Sequence, residues 1–565
     1  MKRNSFLILG CALLILSSVN LPSVWAEVYD DFSGPFLDQE KWNNWEFVRK
    51  IEHGRLISEV AAYGPTRVRN ELTFREPLSI YAIEADVRVT NVEGDLRVSG
   101  SSSFAIPNAA LLGSFYNDGS ASGPYSRTGD VLAIIRIEPN DGELWVFWYV
   151  WRTDDYDGTS FTLLASGSFP NPVHLHRVYK LFLGFNPESK TFEFRVDGET
   201  QSWTSSHPTI NSPGLPFKLI RTDVSFVQPS VPLNGRISAE FDNVVAYDVE
   251  GNVFMADDFS SPTIDPEKWS SYEFVRKIEH KTLLSELRSL GAGRDNSLVI
   301  KRDPYEVDAL GAQVELRDYY NPNGVSTRAR LGRWFYNDSG PPYNGSTGDV
   351  WAEVYLGGTS EAPQAGWLVA RSNNSTATNT TLLASGSFPL SVHLGERYDL
   401  LVAWDGSRFT FVCNEFAARY EPEGNVYRPF SASPLLGTRM IPVTSAPSLE
   451  ASISATFDHA IVNEFPAVYT LSVSKGGSGA GVITSESGGI SCGENCNQDY
   501  VASTVVKLKA VPDEGSMFTG WQGDCLGQGA TTRILMDRDK SCTAIFQPFR
   551  DRSPRPKNSA RPKLQ

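Results

Sequence analysis

The sequence predicts an all-β fold, and three observations support this prediction. Aromatic residues make up 12% of the 565 residues. Gly and Pro are plentiful, with 46 and 34 copies, whereas Met occurs only five times. Short runs rich in Val, Ile, Phe and Tyr alternate with turn-forming residues along the whole chain, which is typical of β-strands. The chain is too long for one hydrophobic core, so we expect about three domains.

The N-terminal segment, residues 1–26, has the features of a secretory signal peptide. Two basic residues precede the apolar run Phe6–Leu16, and cleavage is expected after Ala26. A lipoprotein cleaved before Cys11 is disfavoured, because the apolar run continues beyond that cysteine. No later segment has the roughly 18 apolar residues that a membrane span needs. We therefore expect an exported protein, extracellular or at the cell surface, with the periplasm as the alternative.

The net charge of −15 bears on the choice of partner. An acidic chain repels the phosphate backbone, so nucleic acid is not an expected partner. The charge by itself identifies no other partner.

The middle of the chain contains a duplication. The segment EFVRKIEH occurs at Glu46–His53 and again at Glu273–His280, and further shared segments (FYND, TGDV, TLLASGSFP) follow in the same order. The spacing between matches shrinks through small deletions, which loops tolerate. We therefore predict two copies of one domain, residues 27–250 and 251–466. Each copy is too long for a solenoid repeat and has an ordinary length for a β-sandwich. The octapeptide mixes polar and apolar residues on both faces, which predicts a strand near a sheet edge.

Both copies resemble the concanavalin A-like lectin/glucanase superfamily, which includes laminin G-like modules. The resemblance rests on a DDF…D-x-EKW motif (Asp30–Trp42 and Asp257–Trp269), on the length of the copies, and on the closing strands Ala239–Tyr247 and Ala455–Asn463. It implies two tandem jelly-roll β-sandwiches. It implies no single activity, because this fold serves lectins, hydrolases, lyases and adhesion modules.

The resemblance also implies a site for a structural calcium ion. In this superfamily the first and last strands lie side by side and often have an ion nearby, so we expect Asp31 near Asp242 and Asp258 near Asp458. Carboxylate oxygens are the ligands that calcium prefers.

Residues 467–548 contain the motifs C-G-x-x-C, V-x-L-x-A-x-P, F-x-G-W-x-G-x-C and C-x-A-x-F. They resemble the bacterial internalin-type B-repeat, a small β-rich, β-grasp-like module. Four cysteines in a small exported domain predict disulfides, and the resemblance implies the pairs Cys492–Cys496 and Cys525–Cys542. A zinc site is disfavoured, because it needs thiolates that are kept reduced. Residues 549–565 are predicted to be a disordered basic tail.

A search for catalytic residues finds no convincing set. A glycoside hydrolase needs two carboxylates beside one bond, which the glucanases of this superfamily take from an E-x-D-x-x-E strand. The nearest match, Glu84-x-Asp86, lacks the third acid, and the second copy has Gly311 and Gln313 at the first two positions. A lyase would need His or Tyr with a neutralising Arg. The His and Arg residues present in both copies have structural explanations, in a turn and in cross-strand pairs.

The strand ELWVFWYVW in the first copy favours binding. Every second residue of a strand points to the same face, so four aromatic side chains lie on one side of this strand: Trp145, Phe147, Tyr149 and Trp151. The second copy has no aromatic residue at the matching positions, whereas the other face stays apolar in both copies. Aromatic rings stack on the apolar faces of sugars, with about 1 kcal/mol per contact. The sequence thus predicts a sugar platform, the alternative being packing under a loop or against the second copy.

The sequence favours an exported, non-catalytic protein that binds carbohydrate or another component of a cell surface or envelope. A polysaccharide-degrading enzyme, hydrolase or lyase, is the first alternative, and a structural or adhesive spacer is the second. Binding predicts that the aromatic face is open and lies in a groove. An enzyme predicts acids or a His–Arg–Tyr cluster in that groove, and a spacer predicts neither.

Overall fold

The structure is a computed structural model that describes residues 27–64, 66–121, 123, 125–227, 232–290, 293–441 and 450–549. The predicted signal peptide and residues 550–565 of the predicted tail lie outside the described residues. Within the described ranges, none of the helices is long and apolar enough to span a membrane. The described secondary structure consists of strands and two single 3-10 turns, Pro77–Ser79 and Pro304–Glu306, which confirms the all-β prediction.

The strands fall into three sequence blocks. Those of the first block are β1 Glu27–Asp30, β2 Glu46–Glu52, β3 Arg55–Tyr63, β4 Val68–Thr73, β5 Ala82–Gly94, β6 Phe104–Asn117, β7 Asp130–Asn140, β8 Glu143–Thr153, β9 Phe161–Ser168, β10 Val178–Asn186, β11 Thr191–Val196, β12 Glu199–Thr204, β13 Lys218–Val227 and β14 Asn234–Tyr247. Those of the second block are β15 Val253–Asp257, β16 Glu273–Glu279, β17 Thr282–Leu290, β18 Arg294–Val299, β19 Ala309–Tyr320, β20 Ser326–Asn337, β21 Asp349–Gly358, β22 Gln364–Ser372, β23 Thr380–Ser387, β24 Arg397–Trp404, β25 Phe409–Cys413, β26 Phe416–Tyr420, β27 Leu435–Ile441 and β28 Glu450–Val462. Those of the third block are β29 Val468–Gly477, β30 Gly481–Ser485, β31 Ser491–Cys492, β32 Asn497–Val501, β33 Val505–Pro512, β34 Ser516–Gly523, β35 Thr531–Leu535 and β36 Lys540–Pro548.

The first two blocks build sheets of the same strand order. The six-stranded sheets run β4-β13-β6-β7-β8-β9 and β18-β27-β20-β21-β22-β23. Each faces a second layer, β2-β3-β14-β5-β10-β11-β12 in one case and β16-β17-β28-β19-β24-β25-β26 in the other. The buried apolar residues lie between the paired layers. We call these two-layer units the first and the second sandwich.

The first strand of each copy is exchanged between the sandwiches. β1 pairs with β28 of the second copy, where Val28 lies opposite Ile461. β15 pairs with β14 of the first copy, where Ala256 lies opposite Val245. The residues that follow β1 enter the core of the second sandwich (Phe32, Leu37, Trp42), and those that follow β15 enter the core of the first (Phe259, Ile264, Trp269). The expectation that first and last strands pair within one copy is therefore corrected: they pair between copies.

The DDF…EKW motif anchors each exchanged segment. Asp30 accepts hydrogen bonds from the backbone N–H of Phe32 and from Trp42 Nε1, at 2.9 and 2.7 Å. Asp257 makes the equivalent contacts in the other segment. Buried polar groups must be hydrogen-bonded, and each Asp–Trp pair satisfies both partners. The first Asp of the motif is thus a structural residue that closes the loop between strand and tryptophan.

The repeated octapeptides pair with each other. β2 and β16 run antiparallel, with Val48 opposite Val275, so this repeat forms the seam between the sandwiches. Arg49 Nε donates to the carbonyl of Tyr272, and Arg276 Nε donates to that of Trp45. An antiparallel pair of identical strands has two-fold symmetry, so one sequence can serve on both sides. The predicted edge strand is a strand that joins the two sandwiches.

The third block forms a small domain that extends the second sandwich. Its strand β32 pairs with β26, with Asp499 opposite Ala417. The structure contains the disulfides Cys492–Cys496 and Cys525–Cys542, the pairs implied by the resemblance. Cys413 is a buried free cysteine in the second sandwich.

Candidate functional site

The strand β8 divides its side chains between core and surface as its alternation predicts. Val146, Trp148 and Val150 are buried between the layers, and Trp148 stacks on Phe194 with ring centroids 4.5 Å apart. The four aromatic residues that alternate with them lie on the outer face of the six-stranded sheet and are partly exposed: Trp145, Phe147, Tyr149 and Trp151.

These four residues form a strip along the strand. The rings of Tyr149 and Trp151 stack with centroids 5.0 Å apart and planes within 7° of parallel. Phe147 continues the stack on Tyr149 at 6.3 Å. The guanidinium group of Arg136 lies 4.5 Å from the centre of the Tyr149 ring. We call this set of four residues the aromatic strip.

A groove of about 850 Å³ opens on the same face and includes Trp151 in its lining. Leu112, Leu132 and Leu219 are among its apolar lining residues. Phe161, at the start of β9, also lines the groove. In the loop before β9, Asp155 accepts a hydrogen bond from the backbone N–H of Thr159. The groove therefore begins at the Trp151 end of the aromatic strip.

The register of the sheet places charged residues across from the strip. One row runs from Phe147 through Arg136 and Ala110 to Arg221 and Glu71. The small side chain of Ala110 leaves a depression in the middle of this row. Strands lie about 4.8 Å apart, so β8 and β13 are separated by about 14 Å.

Three acids near the groove form ion pairs with its arginines, and two of these acids, Asp223 and Glu138, are buried. Arg67 contacts Asp223 at 2.7 Å, Arg221 contacts Glu71 at 3.4 Å, and Arg136 contacts Glu138 at 2.7 Å. Burial raises the pKa of Glu138, which also accepts a hydrogen bond from the Tyr149 hydroxyl at 3.1 Å. Burial also lowers the pKa of Arg221, to about 10.

The carboxylates named by the search for a hydrolase motif are elsewhere. Glu84 and Asp86 lie on β5, in the other layer, where Lys180 contacts them at 3.4 and 3.2 Å. Among the described residues they take no part in the lining of the groove.

The equivalent face of the second sandwich has a different chemistry. Glu353 is buried there and is bonded by Arg330 at 3.1 Å and by Trp351 Nε1 at 2.8 Å. Burial by itself would raise the pKa of Glu353, but the guanidinium groups of Arg328, Arg330 and Arg439 lower it to about 2. Such a carboxylate stays ionised and is unsuited to act as a general acid.

The four predicted calcium ligands lie in other pairings than expected. Because of the strand exchange, Asp31 follows the strand that pairs with β28, and Asp258 follows the strand that pairs with β14. Asp31 and Asp258 each accept hydrogen bonds from the serine two residues later. Asp242 lies 3.7 Å from Arg55, and Asp458 lies 3.1 Å from His459. No group of three or more His, Cys, Asp or Glu suited to a metal ion occurs in the part of the chain that the structure describes. Calcium at these aspartates stays a prediction.

The search for site residues in the sequence missed the arginines of the groove. The four arginines occur in three separate places, with Arg67 and Arg69 two residues apart and Arg136 and Arg221 elsewhere, and only the sheet register brings them together. The available signal was Arg136 at an outward-facing position of the otherwise largely apolar strand β7.

Comparison with known protein families identifies the C-terminal block. Residues 470–549 match the family described as Divergent InlB B-repeat domain. Comparison with curated protein sequences gives no match.

Three solved structures illustrate the similarity to known folds. Domains LG4-5 of the mouse laminin α1 chain are 9% identical, with 71% of this chain and 92% of that chain covered and a TM-score of 0.18. The κ-carrageenase from Pseudoalteromonas carrageenovora, in complex with a κ-carrageenan oligotetrasaccharide, is 12% identical, with coverages of 40% and 98% and a TM-score of 0.19. A GlcNAcα1-4Gal-releasing endo-β-galactosidase from Clostridium perfringens is 11% identical, with coverages of 72% and 95% and a TM-score of 0.21. These TM-scores are too low for a functional argument to rest on them.

Proposed function

We propose that the outer face of the first sandwich binds carbohydrate and that the chain is an exported, non-catalytic binding protein for a glycan or another cell-surface or envelope component. The observation that carries this proposal is the aromatic strip, which is partly exposed on the outer face of the sheet and ends in a groove. Tyr149 and Trp151 cover part of each other, and the partly exposed remainder of the strip can contact the apolar faces of sugar residues, at about 1 kcal/mol per ring.

The groove suits a saccharide in size and in lining. Its volume of about 850 Å³ lies in the range of ligand sites. It combines apolar side chains with guanidinium groups, which donate several hydrogen bonds to hydroxyl or charged oxygens. The two disulfides suit an oxidising compartment, in agreement with export.

A binding role is favoured over catalysis by the placement of the acids. A general acid must reach the bond it cleaves, either directly or through one water. Glu138 and Asp223 are almost fully buried and are engaged by arginines, and Glu353 of the second sandwich is held ionised. Of the two acids that line the groove, Glu71 is paired with Arg221, and Asp157 lies in the loop before β9. The hydrolase or lyase remains the alternative, and a spacer without a ligand is the second one.

A glycan array with the mature chain, in calcium and in chelator, tests the proposal. We compare wild type with the Trp145→Ala/Trp151→Ala variant, and with Tyr320→Ala as a control that removes an exposed ring of the second sandwich. Loss of two stacking contacts should weaken binding about 30-fold. The control should bind like wild type.

Two results would contradict this function. Steady release of reducing or unsaturated ends from a bound glycan would favour the enzyme. Absence of binding to every glycan in both buffers would favour the spacer.

A further inference from the structure

We infer that the groove of the first sandwich selects anionic saccharides, whose sugar units carry carboxylate or sulfate groups. This inference rests on the proposed carbohydrate binding and adds the class of ligand. It follows from the arginines that line the groove and from their absence at the same positions of the second sandwich.

The groove has an excess of positive charge in an acidic chain. Among the described residues that line it are five arginines (Arg67, Arg69, Arg127, Arg136, Arg221) and two acids (Glu71, Asp157). The arginines still outnumber the acids when the buried Asp223 and Glu138 are added. The whole chain has a net charge of −15, so the sign of the charge is locally reversed. A local reversal of this kind raises the concentration of anions at the site.

Two of the groove's guanidinium groups, those of Arg127 and Arg69, are loosely paired within the described structure. Arg127 Nη1 donates to a backbone carbonyl, that of Asp157, at 3.3 Å. Arg69 is half exposed, and its nearest acid, Glu71, lies 4.0 Å away. A guanidinium group binds carboxylate and sulfate oxygens through two parallel N–H bonds, so these donors suit an anionic ligand.

The two halves of the site recognise different parts of one ligand. Trp151 and Phe161 offer rings to the apolar faces of the sugars, and the arginines of β4 and β13 face them across the groove. The distance of about 14 Å between β8 and β13 lets a saccharide chain contact both sides. A neutral glycan would offer no charged partner to the loosely paired Arg69 and Arg127, which disfavours its binding relative to an acidic glycan.

The second sandwich provides a natural comparison. The positions of Arg69, Arg136 and Arg221 are occupied there by Asp295, Tyr355 and Gly437, as the shared register shows. Its own arginines on this face, Arg328, Arg330 and Arg439, are paired with Glu353 and Asp295. We therefore assign the selection to the first sandwich, where Arg69 and Arg127 are loosely paired.

Matched pairs of polysaccharides test the inference with the mature chain. Polygalacturonate is compared with its fully methyl-esterified form, and dextran sulfate with dextran, so each pair differs in charge on one backbone. We expect the carboxylate or the sulfate member to bind at least about tenfold more tightly than its neutral partner. This preference should shrink in high salt, because exposed charges are screened.

Variants connect the preference to the groove. Arg69→Gln/Arg127→Gln should weaken binding of the anionic member about tenfold and change binding of the neutral member little. The matched control Arg177→Gln/Arg397→Gln removes two exposed arginines that do not line the groove and should behave like wild type.

The possible contrary results are distinguishable. Equal binding of both members of each pair, lost in the Trp145→Ala/Trp151→Ala variant, would overturn the charge selection and keep carbohydrate binding. Anionic binding that persists in the arginine variant and disappears on removal of residues 550–565 would assign it to the basic tail. Absence of binding by all four polysaccharides and the array would overturn both proposals.

Discussion

The strand exchange makes an unusual prediction, because a substitution in one copy should destabilise the sandwich of the other. Trp42 belongs to the first copy by sequence, yet it is 1% exposed in the core of the second sandwich. It lies against Phe32 and Tyr29 at 5.7 and 5.2 Å, and its Nε1 donates to Asp30. Trp269 is its counterpart in the core of the first sandwich.

The expected cost of Trp42→Ala follows from these contacts. Truncation of a buried tryptophan costs about 3–5 kcal/mol. The buried Asp30 also loses a hydrogen bond, although Lys41 at 3.7 Å compensates part of that loss. We expect a total loss of stability of about 4 kcal/mol, which corresponds to a decrease of about a thousandfold in protection against hydrogen exchange.

Hydrogen exchange measured by mass spectrometry resolves the two sandwiches. Trp42→Ala should accelerate exchange in β19 and β28 of the second sandwich and leave β5 and β14 of the first little changed. Trp269→Ala is the matched variant and should give the opposite pattern. If each substitution instead loosened the strands of its own copy, the exchanged arrangement would be refuted.

Two further predictions concern the seam and the C-terminal domain. Glu273 lies in the seam, where Oε1 accepts from the backbone N–H of Ile51 at 2.7 Å, and burial raises the pKa of its carboxyl group to about 7. Its counterpart Glu46 has Arg236 at 2.8 Å, whereas Arg288 is 4.0 Å from Glu273. A raised carboxyl pKa gives stability that is fully present below about pH 4.5 and is lost as the pH rises through about 7. In denaturant titrations, Glu273→Gln should therefore stabilise the chain by up to about 3 kcal/mol at pH 8 and by little at pH 5. An equal effect at both pH values would rule out titration of this group. Arg419 joins the second sandwich to the C-terminal domain by hydrogen bonds of 2.8 and 2.6 Å to Asp499. The first sandwich has Ser202 at the equivalent position, so we choose Arg419→Ser, which should weaken this contact by about 2 kcal/mol and accelerate hydrogen exchange at β32. The control Arg408→Ser should do neither.

The sequence predicted well what depends on local pattern. Alternation along β8 separated core from surface residues without knowledge of the partner strands, because successive side chains of a strand point to opposite sides. The four cysteines of the C-terminal domain predicted disulfides, and the resemblance to the B-repeat implied the two pairs that the structure contains. The octapeptide was recognised as a strand, but its partner was not, because edge strands and strands at a seam share the same mixed composition.

The sequence by itself determined the all-β class, the duplication and the aromatic strip, since each is written in residue periodicity or in a direct repeat. Only the tertiary structure decided which copy receives each first strand, because both copies carry the same DDF…EKW anchor and similar last strands, so either pairing satisfies the sequence. The tertiary structure also assembled the arginines of the groove. They come from strands that are distant in sequence, and only the hydrogen-bond register of the sheet brings them to one face.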